Sequence, residues 1–156
     1  MAQERNQKSG GGSRRSARDV MTANPTTVSE KDSIRDAARI MASEDTGVVP
    51  VVDGRKVIGI VTDRDIVVRF VAEGKDPANA KVNECMTKSV RSVKEDTPVT
   101  EVLSMMSSAQ IRRVPVVNAS DELVGIVSIG DISTETNQDS KVGNTIEQIS
   151  QGPANN

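Results

Sequence analysis

Two short stretches carry the residues best suited to chemistry. They are "GIVTDRDI" (59–66) and "GIVSIGDI" (125–132), and in each a hydroxyl stands three residues ahead of a carboxylate: Thr62 with Asp65, Ser128 with Asp131. That spacing fits a capping box, in which the hydroxyl accepts an N–H of the first helical turn and the acid reaches back to the cap. It also fits a ligand handle. A carboxylate presents two acceptors to a sugar diol, and a hydroxyl at a helix N-terminus is suited to an anion. Asp is less usual than Glu in a capping box because it reaches less far back. Gly59 and Gly125 interrupt the apolar run before each pair. Glycine inside a strand costs about 0.5–1 kcal/mol against alanine, and it marks close approach of a ligand or of another backbone. A third element is "QIRRVPVV", with Arg112 and Arg113 just ahead of an apolar run. Neighbours in a strand point to opposite faces, so one of the pair faces any cleft formed there, where a guanidinium suits phosphate. The matching stretch "DTGVVPVV" has no charge at those positions, and Arg64 sits between Asp63 and Asp65. Whether the arginines serve the Asp65 side or the Asp131 side stays open on sequence.

Composition excludes much else. Histidine is absent from the 156 residues, which removes Ser-His-Asp and Cys-His catalysis and any His-based zinc site. Cys85 is the only cysteine, so no intramolecular disulfide forms; it reads as a small, partly buried residue in a reduced compartment, with an intermolecular disulfide or a redox switch as the alternative. Phe70 is the only aromatic, which argues against a base-stacking platform. A net charge of -2 offers no general attraction to nucleic acid. No apolar run has the length of a membrane span, and the first residues lack a signal-like core, so a cytoplasmic protein is expected. Residues 1–16 read as a disordered polar tail, basic at its end through Arg14 and Arg15, with Arg18 just beyond. Residues 135–156 read as a second polar tail, in which Val142, Ile146 and Ile149 fit a short amphipathic helix.

The elements that must position these groups come in two copies. Shifted by 65 residues, "VMT" (20–22) meets "CMT" (85–87) and "VPVV" (49–52) meets "VPVV" (114–117). One extra residue enters the turn "NASDE" against "DGRK", and at a shift of 66 "GIV" and "DI" coincide again. Each unit reads as a short extended piece ("TTV", "RSV"), a helix, two β-branched strands joined by a turn, and a last helix. Asp32 or Ser33 caps the first helix, and Thr97 caps its counterpart with Pro98 at the first helical position. The last helices begin at Thr62 and Ser128, and Gly74 ends the first of them. The fold class is therefore α/β (α+β): two β-α-β-β-α repeats, 17–75 and 76–134, packed with pseudo-two-fold symmetry. A unit of about fifty residues is too small for a secure core alone, and pairing two leaves a cleft between them.

With these motifs in order twice, the chain resembles a tandem pair of cystathionine β-synthase (CBS) domains, a Bateman module, in its free-standing bacterial form. The resemblance covers Ala17 to about Thr134. It implies a regulatory, sensor-like module that binds AMP, ADP or ATP, or NAD or S-adenosylmethionine, in the inter-repeat cleft, with no tightly bound cofactor and no metal. By the same resemblance Asp65 and Asp131 hold ribose, Thr62 and Ser128 lie near ribose and phosphate, and Arg64, Arg112 or Arg113 meets phosphate. Thr27, Val28, Val49, Pro50, Ser92, Val93, Val114 and Pro115 line the adenine, with Ile60 and Ile126 as further aliphatic candidates. A homodimer is implied, and an unidentified protein partner is open. An enzyme is not expected, because Asp65 and Asp131 occupy equivalent places without partner acids. The alternative is a ligand-free dimeric scaffold, or a nucleic-acid binder using the basic tail.

Overall fold

The apolar stripe Ile34, Ala37, Ala38 and Met41 falls on a helix, α2 (Ile34–Glu44), which buries Ile34, Ala37 and Met41 and leaves Ala38, at the edge of that face, exposed. Ser33 caps it, accepting the Asp36 N–H at 3.0 Å, while Asp32 takes the Ser29 N–H at 2.8 Å. In a computed structural model that describes residues 15–135, the same helix recurs as α4 (Val99–Ala109). Here the expectation is corrected. Pro98, not Thr97, holds the cap position, and no side chain caps the helix. The reason lies in the repeat itself: at a shift of 65 Pro98 stands where Ser33 does, and a proline side chain offers no acceptor. The Arg15 carbonyl accepts the Val99 N–H at 2.8 Å, so one orphan donor is still satisfied. The Ala80 carbonyl does the same for Ile34 at 3.0 Å.

Each helix is followed by an antiparallel hairpin. In the first repeat β2 (Val48–Asp53) pairs with β3 (Lys56–Thr62), placing Val51 opposite Gly59. In the second, β6 (Arg113–Val117) pairs with β7 (Leu123–Ser128), placing Val116 opposite Gly125. The extended piece before α4 is β5 (Val93–Lys94), parallel to β6; its counterpart makes a single parallel bridge, Val28 to Val51.

The repeats exchange their leading segments. Helix α1 (Ala17–Val20) and β1 (Thr22–Ala23) open the first repeat, yet β1 pairs with β7 of the second, Thr22 opposite Ile126. Reciprocally, a 3₁₀ turn (Val82–Glu84) and β4 (Thr87–Lys88) lead the second repeat and join the sheet of the first, Thr87 opposite Ile60. Equivalent backbone bonds dock both leaders: Ala17 N–H to the Thr97 carbonyl and Val82 N–H to the Asp32 carbonyl, each 2.8 Å. The sheets are therefore β1-β7-β6-β5 and β2-β3-β4. Ala17 and Val20 complete the core of Leu103, Met106, Val114 and Ile132, whereas Ala80, Val82, Cys85 and Met86 complete that of Ile34, Val49, Val61 and Phe70.

This exchange explains the strand glycines. A Cβ on Gly59 would lie 2.6 Å from the Thr87 carbonyl oxygen. One on Gly125 would collide with the Met21 sulfur and lie 3.0 Å from the Thr22 carbonyl oxygen. The close neighbour is the other repeat's leader: its backbone at Gly59, and the Met21 side chain with the Thr22 backbone next at Gly125.

The last helix of the first repeat, α3 (Asp63–Ile66), runs on as a π-helix over Val67–Val71. It buries Phe70 and leaves Val67, Val68 and Val71 about half exposed. Gly74 follows at φ 71°. Its counterpart is α5 (Ile129–Glu135). No helix among the described residues is long and apolar enough to cross a membrane. Of the tail expected over 1–16, Arg15 and Ser16 are described and already meet the second repeat, Ser16 bridging to Pro98. Residues 1–14 and the stretch holding Val142, Ile146 and Ile149 lie outside the described residues.

Candidate functional site

Both hydroxyl–acid pairs form complete capping boxes. Asp65 Oδ2 accepts the Thr62 N–H and Thr62 Oγ1 accepts the Asp65 N–H, each at 3.1 Å. Ser128 and Asp131 repeat this with the same two distances. The cap is thus real in both copies, and it fixes each carboxylate at the mouth of a cleft. Asp65 is held further by Arg69 one turn on, whose Nη2 stands 3.8 Å from Oδ1. Arg69 Nη1 also donates to the carbonyls of Cys85 and Met86, at 2.8 and 3.2 Å, tying the Asp65 helix to the exchanged leader.

Two clefts result, related by the repeat. The first, about 880 Å³, is lined by Ile60, Thr62, Asp63, Arg64 and Asp65, by Thr87 and Ser89–Arg91 of the exchanged leader, and by Ala109–Arg113 and Ser128–Gly130. The second, about 350 Å³, is lined by the equivalent set: Thr22, Pro25, Thr26, Glu44–Val48, Ile126, Ser128 and Asp131, with Arg113 added. Their charges are opposed. The first gathers Arg64, Arg91, Arg112 and Arg113 around Asp63 and Asp65. Among the described residues, the second sets Glu44, Asp45 and Asp131 against one arginine, Arg113. Thr26 in the second cleft donates its hydroxyl to Glu44, where the first has Arg91 and Ala109. Of the two arginines left open by the sequence, Arg112 of the second repeat lines the cleft with Asp65 of the first, and Arg113 lines both clefts.

Not every expected residue reaches a cleft. Ile60, Thr62, Arg64, Asp65, Arg112, Arg113 and Ser128 line the first, and Ile126, Asp131, Arg113 and Ser128 the second. Val28, Val49, Val93 and Val114 turn into the two cores, and Pro50 and Pro115 are buried within their strands. Strand alternation is the cause: the face of "VPVV" that packs under α2 or α4 is the core face. Ser92 is exposed and lines neither cleft. Thr27 lines a separate depression of about 390 Å³ between the two hairpin turns, beside Arg55 and Glu122. The apolar walls of the first cleft are instead Ile60, Val90, Ile111 and Ile129. Sequence reasoning missed Arg91 and Gln110. The Gln110 Oε1 is buried there without a hydrogen-bond partner, while its Nε2 donates to the Ser107 carbonyl at 3.0 Å.

Cys85 lies behind Asp65, buried. Burial, and then the Asp65 carboxylate, push its thiol from 9.0 up to about 11, against the pull of Arg69. The folded protein therefore holds this proton at pH values where the unfolded chain has lost it. Stability contributed by the neutral thiol is full below pH 9 and falls as pH rises toward 11. Replacing Cys85 by Val is expected to flatten that part of the stability–pH curve in denaturant titrations, and the native thiol is expected to resist iodoacetamide at pH 7.5. Among the described residues no group of three or more His, Cys, Asp or Glu side chains is placed to hold a metal ion.

Two repeats that exchange leaders and enclose paired clefts are the architecture of a CBS-domain pair. The CBS domain matches residues 17–72 and 82–136, and the chain belongs to that family, carrying the domain twice. The uncharacterized protein YlbB of Bacillus subtilis is 40% identical over 137 residues, 86% of this chain and 91% of its own. Hypoxic Response Protein I, whose sequence relative is from Mycobacterium tuberculosis, has a crystal structure with two coordinated zinc ions. It matches at a TM-score of 0.69 and 38% identity, covering 76% of this chain and 97% of that one. The CBS pair of MJ0100, in complex with 5′-methylthioadenosine and S-adenosyl-L-methionine, matches at 0.70 and 34%, over 78% and 95%. CBSX2 in complex with AMP matches at 0.68 and 26%, over 80% and 97%.

Proposed function

We propose that the protein is a regulatory ligand sensor that takes a phosphorylated adenosine compound in the first cleft. The observation that carries this is the convergence there of a capped carboxylate, Asp65, with Arg64, Arg91 and Arg112. The carboxylate accepts the ribose hydroxyls, the arginines take phosphate oxygens, and the aliphatic wall of Ile60, Val90, Ile111 and Ile129 covers the base. The adenosine ligands of MJ0100 and CBSX2 support the ligand class. No catalytic step is part of this reading. Occupancy regulates by favouring whichever arrangement of the repeats, and of the homodimer the resemblance implies, binds the ligand better.

Thermal unfolding with AMP, ADP, ATP, NAD and S-adenosylmethionine tests it, followed by calorimetry or circular dichroism because the chain has no Trp or Tyr. A ligand at 100 times its Kd stabilises by about 2.7 kcal/mol. Two variants separate cap from handle. Asp65→Ala loses the cap and is expected to cost about 1 kcal/mol as well as the ligand response. Asp65→Asn keeps one acceptor for the Thr62 N–H, so apo stability holds within about 0.5 kcal/mol while the ligand response is lost. An Asp65→Asn protein that responds as fully as the wild type removes Asp65 from the site. No shift with any adenosine compound leaves the ligand-free scaffold.

A further inference from the structure

One charged side chain belongs to both clefts. Arg113 opens β6, where it pairs in register with Ser128, and both residues line both cavities. Its guanidinium lies over Gly47: Nη2 is 2.9 Å from the point a Gly47 Cβ would occupy, and Asp63 Oδ2 is equally close to that point. A side chain at position 47 would fill the space the guanidinium uses. The repeat is broken at this spot. The counterpart of Gly47 is Arg112, and the counterpart of Arg113 is Val48, which is buried. Hence no second guanidinium approaches from the first repeat to serve the second cleft. The first cleft keeps Arg64, Arg91 and Arg112 when Arg113 is elsewhere, whereas the other charged groups lining the second are Glu44, Asp45 and Asp131.

We propose that Arg113 is one phosphate-binding group shared by two clefts, so that an anionic ligand in either cleft weakens binding in the other. This rests on the nucleotide reading above and adds its regulation. A guanidinium gives its paired donors to one phosphate at a time. Phosphates in the first cleft draw Arg113 away from the second, which among the described residues is left with three carboxylates and no lining cation, and it then repels a second anion. The coupling is reciprocal, because a change in one affinity imposes the same factor on the other. An uncharged ligand such as adenosine has no phosphate to draw Arg113, and its occupancy of one cleft leaves the other unaffected.

The test is calorimetric titration of the full chain with ATP and with adenosine. Four proteins are compared: wild type, Asp65→Ala (first cleft disabled), Arg113→Val (the residue natural at the equivalent strand position), and the double variant. For ATP, the second cleft is expected to bind about tenfold more tightly in Asp65→Ala than as the second step of the wild type, within the usual range of coupling between sites. In the Arg113→Val background the Asp65 substitution is expected to change that step by less than about twofold. For adenosine the factor is near one in every protein. Arg113→Gln, which keeps the stem, serves if the valine variant unfolds. A second ATP step that is the same with and without Asp65, or a coupling that survives both Arg113 variants, overturns the shared role and leaves the nucleotide reading intact. Absence of any binding heat from ATP or adenosine in the wild type overturns both.

Discussion

Gly59→Ala is expected to lower the unfolding free energy by about 2–3 kcal/mol, the upper part of the range for overpacked sites. The added methyl would sit 2.6 Å from the Thr87 carbonyl oxygen. That oxygen belongs to β4, which is hydrogen-bonded to β3 on this stretch and also anchored by the docked turn at Val82–Glu84, so it cannot rotate aside. The clash is relieved only by moving the exchanged strand, and with it Cys85 and Met86 in the core. Gly125→Ala meets a different neighbour. The Met21 side chain is the nearest obstacle and can change rotamer, with the Thr22 carbonyl oxygen next at 3.0 Å, so the expected cost is about 1 kcal/mol. Urea titrations with unchanged slope read these values directly. Equal stability of Gly59→Ala and wild type would show that the leader does not pack as described.

The second large effect is on binding. Removing Arg91 and Arg112 together is expected to weaken ATP by about a hundredfold while adenosine changes less than about twofold. A hydrogen bond to a charged group contributes about 1.5–3 kcal/mol, and both side chains are exposed without ligand, so the lower end of that range applies to each. The salt dependence of ATP binding is expected to flatten in the same variant, since exposed charges are screened. Calorimetry at two ionic strengths measures both. An ATP affinity that survives the double substitution would move the phosphates out of the first cleft.

Much of the fold is readable along the chain because its determinants are local. The stripe of α2, the cap at Ser33, the hairpin turns and the boxes at Thr62 and Ser128 each depend on residues within one element. The duplicated unit, visible at a shift of 65, supplies the order. What local pattern does not carry is the exchange of leaders, since Thr22 and Ile126 are about a hundred residues apart. Two readings depend on it. The strand glycines read equally as ligand or backbone contacts without β1 and β4 in place. Arg91 lay unnoticed in "RSV", since only the exchange carries that leader to the Asp65 cleft. The core-facing placement of Val49 and Val114 escapes the sequence for another reason: a uniformly apolar strand does not announce which face is core.

The exchanged leaders also set an order of events on the ribosome. Synthesis of residues 15–75 leaves the first repeat without Ala80, Val82, Cys85 and Met86, which fill its core. When those emerge, that repeat can close, but α1 and β1 still have no sheet to join until β7 has been made. Ala17 and Val20 therefore stay uncovered almost to the end of the described chain. The first core has all its residues once Met86 is made, whereas the second must wait for Ile132, so the two sheets close in a fixed order.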